Sequence, residues 1–359
     1  MKIGIIGSGI TGAVLARLLP DAVVFERASH SGGRTTTRFL GNSPFDIGAT
    51  IFKGSIDYIE KGKLNKFDFL KFLSEHLPEL EVVPHKTHPG SYHLTTAMQD
   101  LTRHLLSNTK VEYNHLAESI SKKPSEKEWT LHFSNGKTET FDLIILTAPV
   151  PQVISILKNS GIMQAWDELI RFRGEYRSCL VLTGIWKNLP TDIIQKIKSL
   201  KQQTYLFKDE DAEYFSLESE KYRISESDNS LVVTIQFSSA FSSKNLERWC
   251  DDEKKPLYYI LNSNQYFFNR VFHALDLPEL ISKKPDHMDT HKWRYSQADF
   301  ALFKDTEIQL DHPKLLEFFS LSRKHNIWMT GDWIWGSRIV RCALGAMITA
   351  KEILKEGVN

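Results

Sequence analysis

The residues best suited to chemistry in this chain are a set of glycines, an acid and two arginines near its start. Gly7, Gly9 and Gly12 occupy the first, third and sixth positions of a glycine fingerprint, and Glu26 follows about 20 residues on, where dinucleotide sites place an acid. Gly7 permits a tight turn, Gly9 lets backbone approach a pyrophosphate, and Gly12 allows a helix to pack closely on a strand. Ile10 and Thr11 open that helix, whose unpaired N–H groups and partial positive charge suit phosphate. The Glu26 carboxylate, next to Arg27, can accept from both hydroxyls of an adenosine ribose. A second loop follows at once. Gly32 and Gly33 can aim successive N–H groups at phosphate, and Arg34 adds a permanent charge.

Regular elements must hold these residues in place. The apolar run Ile3, Ile5, Ile6 predicts a strand before the glycine turn, and Ala22 to Phe25 a second strand after the helix. In Phe45 to Phe52, Gly48, Ala49 and Thr50 leave room for a flat ligand against backbone. A strand is expected from Val111 to Ile120, with Leu116 assigned to the cofactor wall. The continuous apolar run Phe141 to Leu146 reads as a strand buried on both faces of a parallel sheet. It ends at Thr147 and Pro149, on the carboxyl edge where such sheets bind ligands. Near the end, a strand from Asn326 runs into Gly331 and Asp332, and Asp332 can accept from ribityl or ribose hydroxyls. Gly345, Ala346 and Met347 are expected to open the last helix and to aim N–H groups at an anion.

Elsewhere, residues 56 to 80 carry helical spacing, as do Thr95 to Leu106, while Asn135-Gly136 predicts a hairpin turn between two strands. His85, His88 and His93 suit no standard metal spacing and are expected to be solvated loop histidines, so no metal is expected. The middle of the chain, about 153 to 287, reads as a mixed α/β cap with strands at 178–185 and 230–237, helices near 191–200 and 253–275, and an exposed polar loop at 218–230.

At 359 residues the chain exceeds most single-core domains, so two domains are expected. Apolar content of 41% and charged content of 25% are those of a globular enzyme. A net charge of +1 gives no case for nucleic acid or an anionic membrane surface. Three widely spaced cysteines argue against a disulfide framework and fit a reducing, cytoplasmic setting. No stretch is apolar for long enough to span a membrane.

Four separated motifs resemble the renalase family within the flavin-containing amine oxidase superfamily: GSGITG with SGGRTTT, FDIGAT, FDLIILTAPVP, and HKWRYSQAD with TGDW. The resemblance implies an α/β fold: a Rossmann-like FAD-binding domain plus an α+β cap with an antiparallel sheet. The FAD domain would be assembled from 1–55, 93–152 and 288–359, and the cap from 56–92 and 153–287. It implies an FAD-dependent oxidase that takes a hydride from 2- or 6-dihydro isomers of NAD(P), giving NAD(P)+, and passes electrons to O2 to form H2O2. A flavin amine oxidase acting on a small amine, or another FAD-dependent oxidoreductase or desaturase, are the alternatives. Because the flavin carries the chemistry, no catalytic residue is assigned. Trp293 is the expected wall of the substrate pocket, with Phe52, Thr234 and Gln236 assigned to the same cavity, while Arg294 is read as structural. Many superfamily members carry Glu where this chain has Leu344, and Trp333, Trp335, Arg338 and Arg341 crowd the preceding loop. Cys342 is not where covalent members attach their flavin, so FAD is expected to be non-covalent.

Overall fold

The computed structural model of the chain describes all residues except 42, 87, 123–126, 171–174, 201–202, 208–210, 223–228, 248, 250–257, 304–305 and 356–359. Its centre is a parallel sheet in the order Lys110–Glu112, Ala22–Phe25, Ile3–Ile6, Leu143–Leu146, Ile327–Met329. Leu143, Ile144, Ile145 and Leu146 are at most 1% exposed, as an unbroken apolar run in a two-sided sheet must be. Burying each such side chain contributes roughly 1.5–3 kcal/mol. The helix Ile10–Leu18 lies against the last helix, Ile339–Leu354, so the two chain ends build one layer over this sheet.

A second, antiparallel sheet runs Thr204–Leu206, Ala212–Leu217, Leu231–Phe237, Tyr176–Trp186, His287–Ala298. Alternation divides its faces. Leu180, Leu182, Phe215 and Ile235 point to a core shared with the helices Thr191–Ser199 and Tyr258–Ala274, through Ile194, Ile197, Phe268 and Phe272. The opposite face carries Cys179, Val181 and Trp293 and packs on Phe45 and Ile47 of the first lobe.

Several expectations change. Residues 56–80 are mostly not helical: Ser55–Glu60 and Lys63–Asp68 form an antiparallel hairpin, and only Phe69–His76 is helix. The reason is the Lys61-Gly62 turn, both residues at positive φ (52° and 71°), which the apolar spacing concealed. Asp68 then caps the short helix, accepting from the Lys71 N–H at 3.0 Å. The helix expected over 95–106 is regular only from Asp100 to Leu105. The strand expected over 111–120 is broken at Asn114 (φ 58°), giving Lys110–Glu112 in the parallel sheet and Ala117–Ser121 in a separate three-stranded one. That smaller sheet contains the Asn135-Gly136 hairpin, Trp129–Phe133 with Thr138–Phe141.

Two segments also change lobes. Residues 288–298 belong to a strand of the antiparallel sheet, and Phe67, Phe69, Phe72 and Leu73 pack in the core of the parallel sheet, so the boundaries drawn at 288 and across 56–92 do not follow the cores.

The stretch expected as an exposed loop at 218–230 begins as a buried turn of helix, Glu218–Lys221, with Glu218 and Ser219 fully buried; residues 223–228 lie outside those described. Lys221 reaches the buried Asp46, which also accepts from the Tyr222 hydroxyl at 2.6 Å and from Thr37 at 2.5 Å. Glu218 accepts from the Asp46 N–H at 3.3 Å, which joins the lobes. Burial pushes the Glu218 carboxyl up to about 7, against the pull of Lys221 and with the push of Asp46. A carboxyl raised in the folded state contributes stability that is full below 4.5 and lost as pH rises through about 7. Urea unfolding at about pH 5.5 and about pH 8 should therefore show the wild type losing stability relative to Glu218→Gln as pH rises. Parallel behaviour of the two proteins would refute this.

His85 and His93, expected in solvent, are buried, with His85 Nδ1 and His88 Nδ1 3.2 Å apart. Burial first, and the neighbouring His88 second, lower the His85 pKa to about 4.

Candidate cofactor and substrate cavity

The two glycine loops meet. Gly32 N–H donates to Ser8 O at 3.2 Å, and Gly9 and Gly32 form an isolated parallel bridge. Gly7 turns at φ 105°, and Thr147 Oγ1 donates to Ile6 O at 2.8 Å, tying the turn to the end of the central strand. A Cβ on Gly12 would lie 1.9 Å from Gly7 O, so only glycine allows the first helix to sit so close. A Cβ on Gly9 would meet nothing nearer than Gly32 O at 4.0 Å.

Around these loops lies one cavity of about 1190 Å³. Of the assigned cofactor residues, Gly7, Gly9, Ile10, Thr11, Glu26, Arg27, Gly33, Arg34, Gly48, Ala49, Thr50, Leu116, Thr147, Pro149 and Asp332 line it. Glu26 is held ready at one end: one oxygen accepts from Ser8 N–H (2.9 Å) and Ser8 Oγ (2.8 Å), the other from Ala28 N–H (2.9 Å).

Arg34 does not present a free charge to phosphate. Its guanidinium pairs with Asp332 at 2.5 Å and donates to Ser296 O at 3.2 Å. Asp332 also accepts from Tyr176 Oη and Ser337 Oγ, both at 2.9 Å. Burial opposes its ionisation, yet the Arg34 charge and these hydrogen bonds hold its carboxyl below the usual range.

The expectation for Gly345, Ala346 and Met347 is overturned. The last helix begins at Ile339, with Arg338 at its cap, so these three residues lie mid-helix and outside the cavity wall. Gly345 is there for packing: a Cβ would fall 2.2 Å from Trp335. Arg338, Ile339 and Cys342 line the cavity instead. Gly331 lies behind Asp332, and Gly12 under the turn, neither in the wall.

Of the substrate-pocket residues, Gln236 and Trp293 line the cavity, whereas Phe52 and Thr234 do not. Phe52 packs edge-on against Phe69, and Thr234 is spent on Thr183 Oγ1 at 3.1 Å within the cap sheet. Arg294, read as structural, both lines the cavity and pairs with Glu247 at 2.9 Å. Sequence reasoning missed Arg38, Cys179, Tyr214 and His291, all in the wall. Their signal was weak: each sits on a strand whose inward face becomes known only once the sheet is placed over the cavity. Arg38 donates to His291 Nδ1 at 2.9 Å, and since arginine has no acceptor the imidazole proton must sit on Nε2. Burial first, then Arg38, lower the His291 pKa to about 4, so the ring is neutral at neutral pH. Burial pushes the thiols of Cys179 and Cys342 up to about 12.

Comparison with known proteins agrees with this geometry. Residues 5–63 match the NAD(P)-binding Rossmann-like domain. Mouse (Mus musculus) renalase is 24% identical over 314 residues, 83% of this chain and 85% of the mouse protein. The chain is thus similar to renalase, and its fold is that of the flavin amine oxidases. The same fold is seen in a putative protoporphyrinogen oxidase from Exiguobacterium sp. 255-15 (TM-score 0.60, 12% identity, 99% of each chain). It is seen too in putrescine oxidase solved with putrescine (TM-score 0.59, 10% identity, 99% of each chain). The cofactor that the glycine fingerprint and the second glycine loop of this chain imply is FAD. The chain's residues fit that cofactor: open space at Gly9, the unpaired N–H groups of Ile10 and Thr11 at a helix start, and a fixed carboxylate at Glu26. The volume exceeds the roughly 300–1,000 Å³ of a single small-molecule pocket, leaving space for substrate beside the cofactor. No helix among the described residues is long and apolar enough to cross a membrane.

Proposed function

We propose that this protein oxidises 2- or 6-dihydro isomers of NAD(P) to NAD(P)+, with non-covalent FAD and with O2 as the electron acceptor, giving H2O2. Bound in the cavity, FAD would accept the hydride and return the electrons to oxygen. The chain's own residues supply binding and orientation.

The observation that carries this reading is the charge at the cap side of the cavity. Arg177, Lys292 and Arg294 of the cap sheet, and Arg38 bound to it, line that side, where the cap sheet contributes one acid, Glu213. Three of the cations are held by carboxylates outside the wall: Arg38 by Asp289, Arg177 by Asp299 and Arg294 by Glu247. These pairs fix the guanidinium planes while the donors on the cavity side stay available to phosphate. A dinucleotide substrate carries a pyrophosphate and is attracted to such a mouth, whereas an alkylamine is a cation at neutral pH and is repelled. The thiol of Cys342, buried and protonated, fits a flavin held without a covalent link.

We place the cofactor lobe in the segments packed around the parallel sheet and the cap in those around the antiparallel sheet, the latter including residues 287–298. The test compares substrates of opposite charge. Dihydro-NAD isomers should reduce the bound FAD, and simple amines should leave it oxidised.

A further inference from the structure

The cap sheet sends side chains from three of its strands to one short loop of the cofactor lobe. Trp293 Nε1 donates to Ile47 O at 2.6 Å, Gln236 Nε2 donates to Gly48 O at 2.6 Å, and the Tyr214 hydroxyl is hydrogen-bonded to Thr50. Both Trp293 and Gln236 line the cavity, yet each directs its polar hydrogen at backbone rather than at the void.

This has a geometric consequence. In a trans peptide the carbonyl of one residue and the N–H of the next point in opposite directions. Drawing Gly48 O toward the cap turns the Ala49 N–H away from it, and that N–H indeed donates to Arg34 O at 2.8 Å on the glycine-loop side. Drawing Ile47 O toward the cap likewise turns the Gly48 N–H away from the cap. Gly48 is buried in the cavity wall, and its N–H has no acceptor among the described residues. Buried backbone donors left without a partner are rare, and such a group calls for an acceptor from a bound ligand. A dinucleotide anchored by its adenosine ribose at Glu26 and by its pyrophosphate at Gly9 extends its other end toward this loop. No side chain at position 48 could substitute, because a Cβ there would lie 2.1 Å from Arg34 O.

We infer that Trp293 and Gln236 are positioning residues which clamp the Ile47–Thr50 loop so that the Gly48 N–H donates to the ring of the bound flavin. The inference rests on the FAD reading and reassigns both residues from substrate contact to control of the cofactor.

The test is amide hydrogen exchange at Gly48, measured with and without FAD, in wild type, Gln236→Met and Trp293→Phe. In the wild type, FAD should slow exchange at Gly48. Each variant should lose roughly tenfold of that protection, the weight of one hydrogen bond held in place. The visible flavin spectrum should shift in both variants, and kcat should fall with little change in KM. Thermal melting of the flavin-free proteins serves as the control for a general loss of stability. Equal protection and an unchanged spectrum in variants that bind FAD would overturn the clamp. A wild type that binds no FAD would instead refute the cofactor reading beneath it.

Discussion

Gly9→Leu is expected to fold normally and to purify colourless. The two halves of that result come from different facts. Gly9 has ordinary backbone geometry, φ −71° and ψ −177°, so a side chain adds no strain there. A Cβ would find open space toward the cavity, with only Gly32 O at 4.0 Å, so the protein around it need not move. The leucine would then stand where the pyrophosphate has to approach the helix start. Flavin content, read from absorbance, should fall to near zero, while circular dichroism and the thermal transition stay close to those of the flavin-free wild type. Stoichiometric FAD in the variant would contradict the site. Gly12→Leu provides a contrast, because its Cβ would lie 1.9 Å from Gly7 O and the fold itself should fail.

Asp332→Ala should be the most destabilising of the polar substitutions. Asp332 is 2% exposed and is the acceptor for Arg34, Tyr176 and Ser337 together. Removing one member of a buried charge pair costs about 3–5 kcal/mol, chiefly because the surviving charge is left uncompensated. The Arg34 side chain is 31% exposed, so water recovers part of that cost and the lower end of the range applies. Tyr176 and Ser337 each lose an acceptor as well. Asp332→Asn keeps one acceptor oxygen and should lose less. Denaturant unfolding of the flavin-free proteins measures both, and a loss under about 1 kcal/mol for Asp332→Ala would show that the cluster is not a structural tie. Because Asp332 lies in the cavity wall, FAD affinity should fall in parallel.

The nucleotide half of the site was legible because its chemistry is local. Gly7, Gly9, Gly12 and Glu26 act through backbone geometry within one strand–turn–helix–strand unit, so their spacing alone carries the information. The run Leu143–Leu146 was legible for a similar reason, since burial on both faces needs no partner to be recognised. What failed depends on contacts distant in sequence. Gly345 could be a helix start or a packing glycine, and only the indole of Trp335 against it decides the matter. Arg34 reads as a phosphate ligand until Asp332, far along the chain, claims its charge. Phe52 and Thr234 have the right character for a pocket, but the direction of each side chain follows from strand register, which a single sequence does not fix. Lys221 and Glu218 look like a solvated loop because a buried ion cluster has no local signature; its partner Asp46 lies in the other lobe.

The central claim is that a cationic cap-side mouth admits a phosphate-bearing dihydronicotinamide to an FAD site. The most direct measurement is the visible flavin spectrum of the purified protein under anaerobic conditions, titrated with 2- or 6-dihydro-NAD and then opened to air. The account predicts bleaching of the flavin band by at least one of these isomers, formation of NAD+, and return of the colour with H2O2 once oxygen is admitted. Bleaching by putrescine or another simple amine, with no response to either dihydro-NAD isomer, would contradict it.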